Sequence, residues 1–342
     1  MPTPASAPKM QSSRGLNPTT MTLTRRHFVA AASSLAVPCI ARAQAWPSKP
    51  IRFVVPFAPG GSSEIIARSA AGELSKLLGQ NVFVDNKPGA SGNIAMTEVA
   101  RADDQHTVIL GHIGTVAVNP FMFDRLPYDP LKDFRPVSLL AKVPSLYVVN
   151  ANVPVKDLKE FVALAKARPG QLNYGSAGNG SAGHLAMEYL KMTTGMFITH
   201  IPYKGTGPQL TDLLAGRLEA ASVGASAILP HIKAGKLRCI ATGSARRLAQ
   251  LPDVPTVAEQ GYPGFEMTQW YGMMAPATMQ PAHIDKLAAE TQKAMRSTAA
   301  LERLTQDAAE AVGGTPAQFV QFIAQEQKRW KVVVERARIK AE

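Results

Sequence analysis

Residues 51–64 read Ile51-Arg52-Phe53-Val54-Val55-Pro56-Phe57-Ala58-Pro59-Gly60-Gly61-Ser62-Ser63-Glu64. The apolar run 51–55 predicts a strand, and the amphipathic stretch 62–78 predicts a helix. Two glycines between them let the backbone turn tightly and approach a neighbour closely. Ser62 or Ser63 is expected to cap the helix, whose free N–H groups then face outward at the positive end of its dipole. Such a start holds a carboxylate or phosphate without any charged side chain. An ordinary capped turn explains the same residues, so the rest of the chain has to decide.

Working outward, the rhythm repeats. Apolar runs at 82–85, 107–110, 146–149, 172–174, 197–201, 220–223 and 237–242 alternate with helical stretches at 93–101, 156–168, 181–194, 208–215 and 227–234. Strands separated by helices of this length imply βαβ units and largely parallel sheets. Two segments, 144–149 and 265–271, break the rhythm and read as extended crossings between lobes. Helices expected at 282–295, 299–308 and 316–338 close the chain. The expected fold is therefore α/β, with two lobes and a ligand cleft between them. Residues 46–145 with 268–342 make lobe 1, and residues 146–267 make lobe 2.

The N-terminus carries targeting information. Arg25-Arg26 precedes an apolar run from Phe28 to Ile40, and Ala43-Gln44-Ala45 follows with the small-residue spacing of a cleavage site. A charged start, a short apolar stretch and such a site form a secretory signal peptide. The run is shorter than the ~20 residues a membrane span needs. Residues 1–45 are thus expected to be removed after Tat or Sec export to the periplasm, leaving a chain that begins at Trp46.

The 342 residues contain 37 Lys and Arg against 25 Asp and Glu, a net charge of +12. Lys9, Arg14, Arg25, Arg26 and Arg42 leave with the signal and no acid does, which brings the charge to +7. The remaining basic residues are scattered and aromatics are few, so a nucleic-acid face is not indicated. A diffuse positive field favours the approach of small anions. Only Cys239 of the two cysteines survives cleavage, which excludes an internal disulfide.

A second glycine-rich turn, Asn173-Tyr174-Gly175-Ser176-Ala177-Gly178-Asn179-Gly180-Ser181-Ala182-Gly183-His184, again follows a strand and opens a helix. Gly175 and Gly180 have P-loop spacing, but no lysine follows to reach a phosphate. Gly178, Gly180 and Gly183 fit a dinucleotide fingerprint, yet no acid ends the next strand to hold a ribose. What remains is a hydroxyl-rich helix start suited to an anion. Residues 202–209 and 86–93 supply further turns at strand ends, where open α/β sheets bind ligands. After residue 45 the chain has no G-x-S-x-G, S-x-x-K, H-E-x-x-H or C-x-x-C motif. Its histidines show no paired metal-ligand spacing. No catalytic residue, metal or cofactor is expected.

Several blocks together resemble the Bug family, the TctC-type periplasmic solute receptors of tripartite tricarboxylate transporters. They include Pro47-Ser48-Lys49-Pro50-Ile51-Arg52, Phe57-Ala58-Pro59-Gly60-Gly61, Asn86-Lys87-Pro88-Gly89-Ala90-Ser91-Gly92-Asn93 and Leu126-Pro127-Tyr128-Asp129-Pro130. Asp133-Phe134-Arg135-Pro136-Val137, residues 173–181, His200-Ile201-Pro202-Tyr203-Lys204-Gly205 and Leu251-Pro252-Asp253-Val254-Pro255-Thr256 continue the match in order. The resemblance implies a two-lobe Venus-flytrap receptor, type II-like, that closes on a small carboxylate-bearing solute. It implies ligand contacts at Phe57, Gly60, Gly61 and Ser62 on one lobe. On the other they fall at Ser176, Asn179, Ser181 and Thr206, with Asp212 as a neighbour. Glu64 stands where the family usually has aspartate, and Gln209 where a small residue is usual, so no particular ligand is inherited.

The expectation is a monomeric receptor, not an enzyme, that captures a small organic acid and passes it to membrane permease subunits. Two other roles fit the same residues. One is a ligand-sensing subunit for a membrane histidine kinase; the other is an enzyme acting on a small organic acid.

Overall fold

The computed structural model describes residues 46–337, 339 and 340. The expected signal peptide lies outside them. Strand β1 (Ile51–Val55) sits between β2 (Val82–Asn86) and β3 (Thr107–His112) and is parallel to both. Helix α1 (Ser62–Leu78) covers this sheet because Ile66, Ala67, Ala70, Ala71 and Leu74 fall on one buried stripe. Gly79 ends it in the left-handed conformation, φ 66°. Helix α2 (Asn93–Ala100) returns the chain to β3. Beyond β3 come a π-helical turn (Ile113–Val118) and the short α3 (Asn119–Met122).

Strand β4 (Phe134–Asn150) then runs for 17 residues and joins two sheets. The following elements are α4 (Leu158–Ala167), β5 (Asn173–Ser176), α5 (Ala182–Thr194), β6 (Thr199–Pro202), α6 (Thr206–Leu214), β7 (Ala220–Gly224), α7 (Ala225–Lys233) and β8 (Leu237–Thr242). Strand β9 (Thr268–Pro276) leads to α8 (Pro281–Met295), α9 (Thr298–Gln306), β10 (Glu310–Ala311) and α10 (Pro316–Ala337).

Residues 134–144 of β4 pair antiparallel with β9 in the first sheet, and residues 145–150 pair with β7 and β8 in the second. Each sheet is parallel on its outer side: β2-β1-β3 in the first, and β6-β5-β7 in the second. Antiparallel pairing enters only around β4, β8, β9 and the two-residue β10. The two-lobe α/β fold follows, with one lobe on each sheet.

Sequence reading expected only 144–149 to be extended here. Proline argues against a long strand, because it cannot donate to the ladder. The chain accommodates both prolines at irregularities. The register slips between Pro136 and Ser138, and Pro144 is the last residue paired to β9 before Ser145 enters the second sheet.

The terminal helices pack back onto the first sheet, α8 against α1 and β4, and α10 against β4 and the π-helical turn. A buried carboxylate fixes α10. Glu326 Oε2 accepts from Trp270 Nε1 at 2.8 Å and from Trp330 Nε1 at 3.1 Å. Among the described residues no helix is long and apolar enough to cross a membrane.

Candidate functional site

The first glycine turn differs from expectation in one respect. Gly61, in extended conformation, is the residue that precedes α1, and no side chain caps the helix. Neither Ser62 nor Ser63 does so, because both lie inside the first turn and are buried. Glu64 folds back instead, its carboxylate accepting from Gly60 N at 2.8 Å and pairing with Arg68. Ser62 Oγ is left buried without a partner.

In the second lobe Ser181 caps α5, its Oγ accepting from His184 N at 3.3 Å. Ser176 Oγ lies 2.6 Å from His200 Nε2 and also accepts from Gly178 N at 3.1 Å, which shapes the loop from below. His184 accepts from Gly180 N and stacks on His200 at 4.2 Å, and His200 stacks on Tyr174 at 4.8 Å. Burial pushes His184 down to about 4 and His200 to about 3, the neighbouring Lys191 acting in the same direction on both.

The lobes meet by backbone approach. Ala58 N donates to Lys204 O at 3.3 Å, tying the first turn to the one before α6. A Cβ on Gly207 would fall 2.6 Å from Pro59 O, and one on Gly61 would fall 2.8 Å from Thr206 Oγ1. A Cβ on Gly114 would collide with Gly180 O and the His112 ring. Only glycine permits these contacts.

Beneath this seam lies a cavity of about 30 Å³, lined by Phe57, Ser62, Ser63 and His112 from the first lobe side. Ala177, Ser181, Ala182, Gly183, Thr206 and Gln209 face them from the second lobe. Ser222 to Gly224, Gln269 and Tyr271 complete the lining, which contains no Lys, Arg, Asp or Glu. Of the residues expected from the sequence, Phe57, Ser62, Ser181 and Thr206 come together here. Gly60 and Gly61 form the seam above. Ser176 and Asn179 belong to the loop but not to the lining. Asp212 is elsewhere: it accepts from Tyr203 and pairs with Arg217, both at 2.7 Å.

Gln209 is 1% exposed and donates to Gly175 O at 2.9 Å, so its bulk narrows the cavity. His112, Ser222, Gln269 and Tyr271 were not singled out as site residues. The last two sit on β9, where Tyr271 donates to Gln269 Oε1 at 2.7 Å and Gln269 to Ser145 Oγ at 3.2 Å. They fall in a strand buried almost throughout, so nothing local marks them.

Comparison with known proteins places these features in context. Residues 66–339 match the family model described as the tripartite tricarboxylate transporter family receptor. The chain is 39% identical over 294 residues to Protein BugT of Bordetella pertussis, covering 85% of this chain and 90% of that one. It superposes on Rpa4515 of R. palustris with adipate at TM-score 0.83 and 36% identity, covering 86% of this chain and 99% of that one. MatC from Rhodopseudomonas palustris with bound malate gives 0.81 and 34%, with 84% and 100% covered. The periplasmic binding protein BugD gives 0.83 and 32%, with 87% and 100% covered.

Proposed function

The chain belongs to the tripartite tricarboxylate transporter receptor family, a family of periplasmic solute-binding proteins, and from that premise we propose that it captures a small organic acid between its lobes and delivers it unchanged to membrane permease subunits. The observation that carries this reading is the charge-free cavity at the lobe seam, lined by hydroxyls from both sides. Neutral donors on both sides suit an anion, and two similar proteins are solved with adipate and with bound malate. Ser62, Ser181 and Thr206 supply hydroxyls and Phe57 an apolar wall, while Gly60 and Gly61 let the first turn reach the ligand. Ser176 and Asn179 shape the opposite loop. Asp212 is a neighbour of the site, where it holds Tyr203 and Arg217.

The lobes are residues 46–145 with 268–342, and residues 146–267. They hinge where β4 passes from one sheet to the other and where the chain returns beside it, at Met267, to enter β9.

A thermal-shift screen of carboxylates tests the reading. A solute at 100 times its dissociation constant adds about 2.7 kcal/mol of stability. Adipate, malate and other small diacids are the first compounds to try. A screen in which no carboxylate raises the melting temperature would remove the receptor role.

A further inference from the structure

His112 ends β3 and is 2% exposed, with its ring stacked on Phe57 at a centroid distance of 4.5 Å. Its Nδ1 accepts from Gly114 N at 2.6 Å and from Thr115 N at 3.1 Å, and Thr115 Oγ1 accepts from His112 N in return. Two backbone donors on Nδ1 leave that nitrogen no proton, so the neutral ring carries it on Nε2. The Nε2–H is therefore a buried donor with its direction fixed, and it has no partner.

Five buried side-chain atoms among the described residues lack a hydrogen-bond partner: Ser62 Oγ, His112 Nε2, Asn119 Oδ1, Ser222 Oγ and Ser226 Oγ. Three of them, on Ser62, His112 and Ser222, belong to residues that line the one cavity at the lobe seam. An unpaired buried polar group costs about 1–3 kcal/mol. Three such groups converging on one space, from β3, α1 and β7, mark a place built for an acceptor. The bare turn at Gly114 lets Gly180 of the other lobe come down beside the ring.

We propose that His112 is a ligand-binding residue: it donates Nε2–H to a carboxylate oxygen of the bound acid, with the hydroxyls of Ser62 and Ser222 completing a neutral donor set. The inference rests on the receptor reading above and adds to it the group that orients the acid. A fixed N–H selects an oxygen acceptor at this position and rejects an ammonium group. The site thus prefers a carboxylate there to the amino group of an amino acid.

Two substitutions separate binding from capping. His112→Asn keeps an acceptor at the Nδ1 position for Gly114 and Thr115, but its amide is too short to replace Nε2. His112→Gln places an N–H near Nε2 and loses the cap. Calorimetric titration with adipate and with malate should show His112→Asn weakened by about 10- to 150-fold, the range for a hydrogen bond to a charged group. Its melting temperature should stay close to wild type, whereas His112→Gln should melt lower and bind better than the Asn variant. In the wild-type protein the His112 Nε2–H proton resonance should move downfield when the acid is added. Unchanged affinity in His112→Asn, or an unmoved resonance at saturation, makes His112 only a cap and overturns the inference while the receptor reading stands. If wild-type protein binds neither these acids nor any other carboxylate, the receptor reading falls and the inference with it.

Discussion

At the scale of single residues, Ser181 performs two tasks with one oxygen. Its lone pair caps α5, and its hydroxyl proton stays available to a group in the cavity. Ser181→Ala should therefore cost about 1 kcal/mol of stability through the lost cap. It should also weaken acid binding about 10- to 150-fold. Ser181→Asp separates the two, since aspartate caps well but sets a like charge against the ligand. It should melt near wild type and bind worse than the alanine variant. Melting curves beside calorimetric titrations read both, and unchanged affinity in the two variants would leave Ser181 as a cap alone. Buried histidines set a second residue-level expectation. Desolvation pushes His112 and His184 down to about 4 and His200 to about 3, against an ordinary value of 6.5. His112 has no charged partner, whereas His184 and His200 face each other and Lys191, with Glu188 opposing on His200. Below pH 6.5 the unfolded chain binds protons that the folded chain refuses, so stability falls as the solution is acidified. The loss should develop between about pH 6.5 and 4, and on to about 3 for His200, and reach at most about 1.4 kcal/mol per pH unit for each histidine. Denaturant titrations at pH 7.5 and 5 check the sign, and a His184→Gln variant should show a shallower slope.

At the scale of elements, the lobe seam depends on glycines that bring turns into backbone contact. Gly207 lies inside α6, where alanine is the better helix former by about 1 kcal/mol. A Cβ there would nevertheless meet Pro59 O across the seam at 2.6 Å. Gly207→Ala should hence leave the melting temperature without added acid at or above wild type. Binding should weaken by roughly 5- to 150-fold, if overpacking costs the closed arrangement about 1–3 kcal/mol. Tighter binding by this variant would mean that the turns do not close on the ligand. The strand–turn–helix units were legible here because their signals are local: apolar period, glycine pairs and hydroxyls at helix starts. Strand β4 was read short, since Pro136 and Pro144 look like breakers until a register slip and a change of sheet absorb them.

At the scale of the whole molecule, a cavity of about 30 Å³ has room for one or two waters but not for a diacid. On the receptor reading the lobes part to admit one, turning about β4, which joins both sheets, and about the return of the chain into β9. Small-angle scattering should show a radius of gyration that falls when a saturating acid is added. An unchanged radius would argue for a body that does not open. Export is tested by intact mass: periplasmic protein should begin at Trp46 or within a few residues. Trp46 is well held in the folded body, with Nε1 donating to Gln105 O at 2.8 Å and the ring stacked on His283 at 4.6 Å. A retained N-terminus would refute cleavage.

The amino-acid sequence by itself determined the α/β class and the helix starts at Ser62 and Ser181. Each of these follows from the period of apolar residues or the freedom of neighbouring glycines, which act over a few residues. It left open whether Ser62 or Ser63 caps the first helix; neither does, because Gly61 takes the position before it and both serines lie inside the first turn. Nor could the sequence find His112 and Ser222, which lie on different strands with nothing local to mark them. Only the tertiary structure set their unpaired donors around one cavity, because sheet register and the contact between lobes decide which side chains share a space.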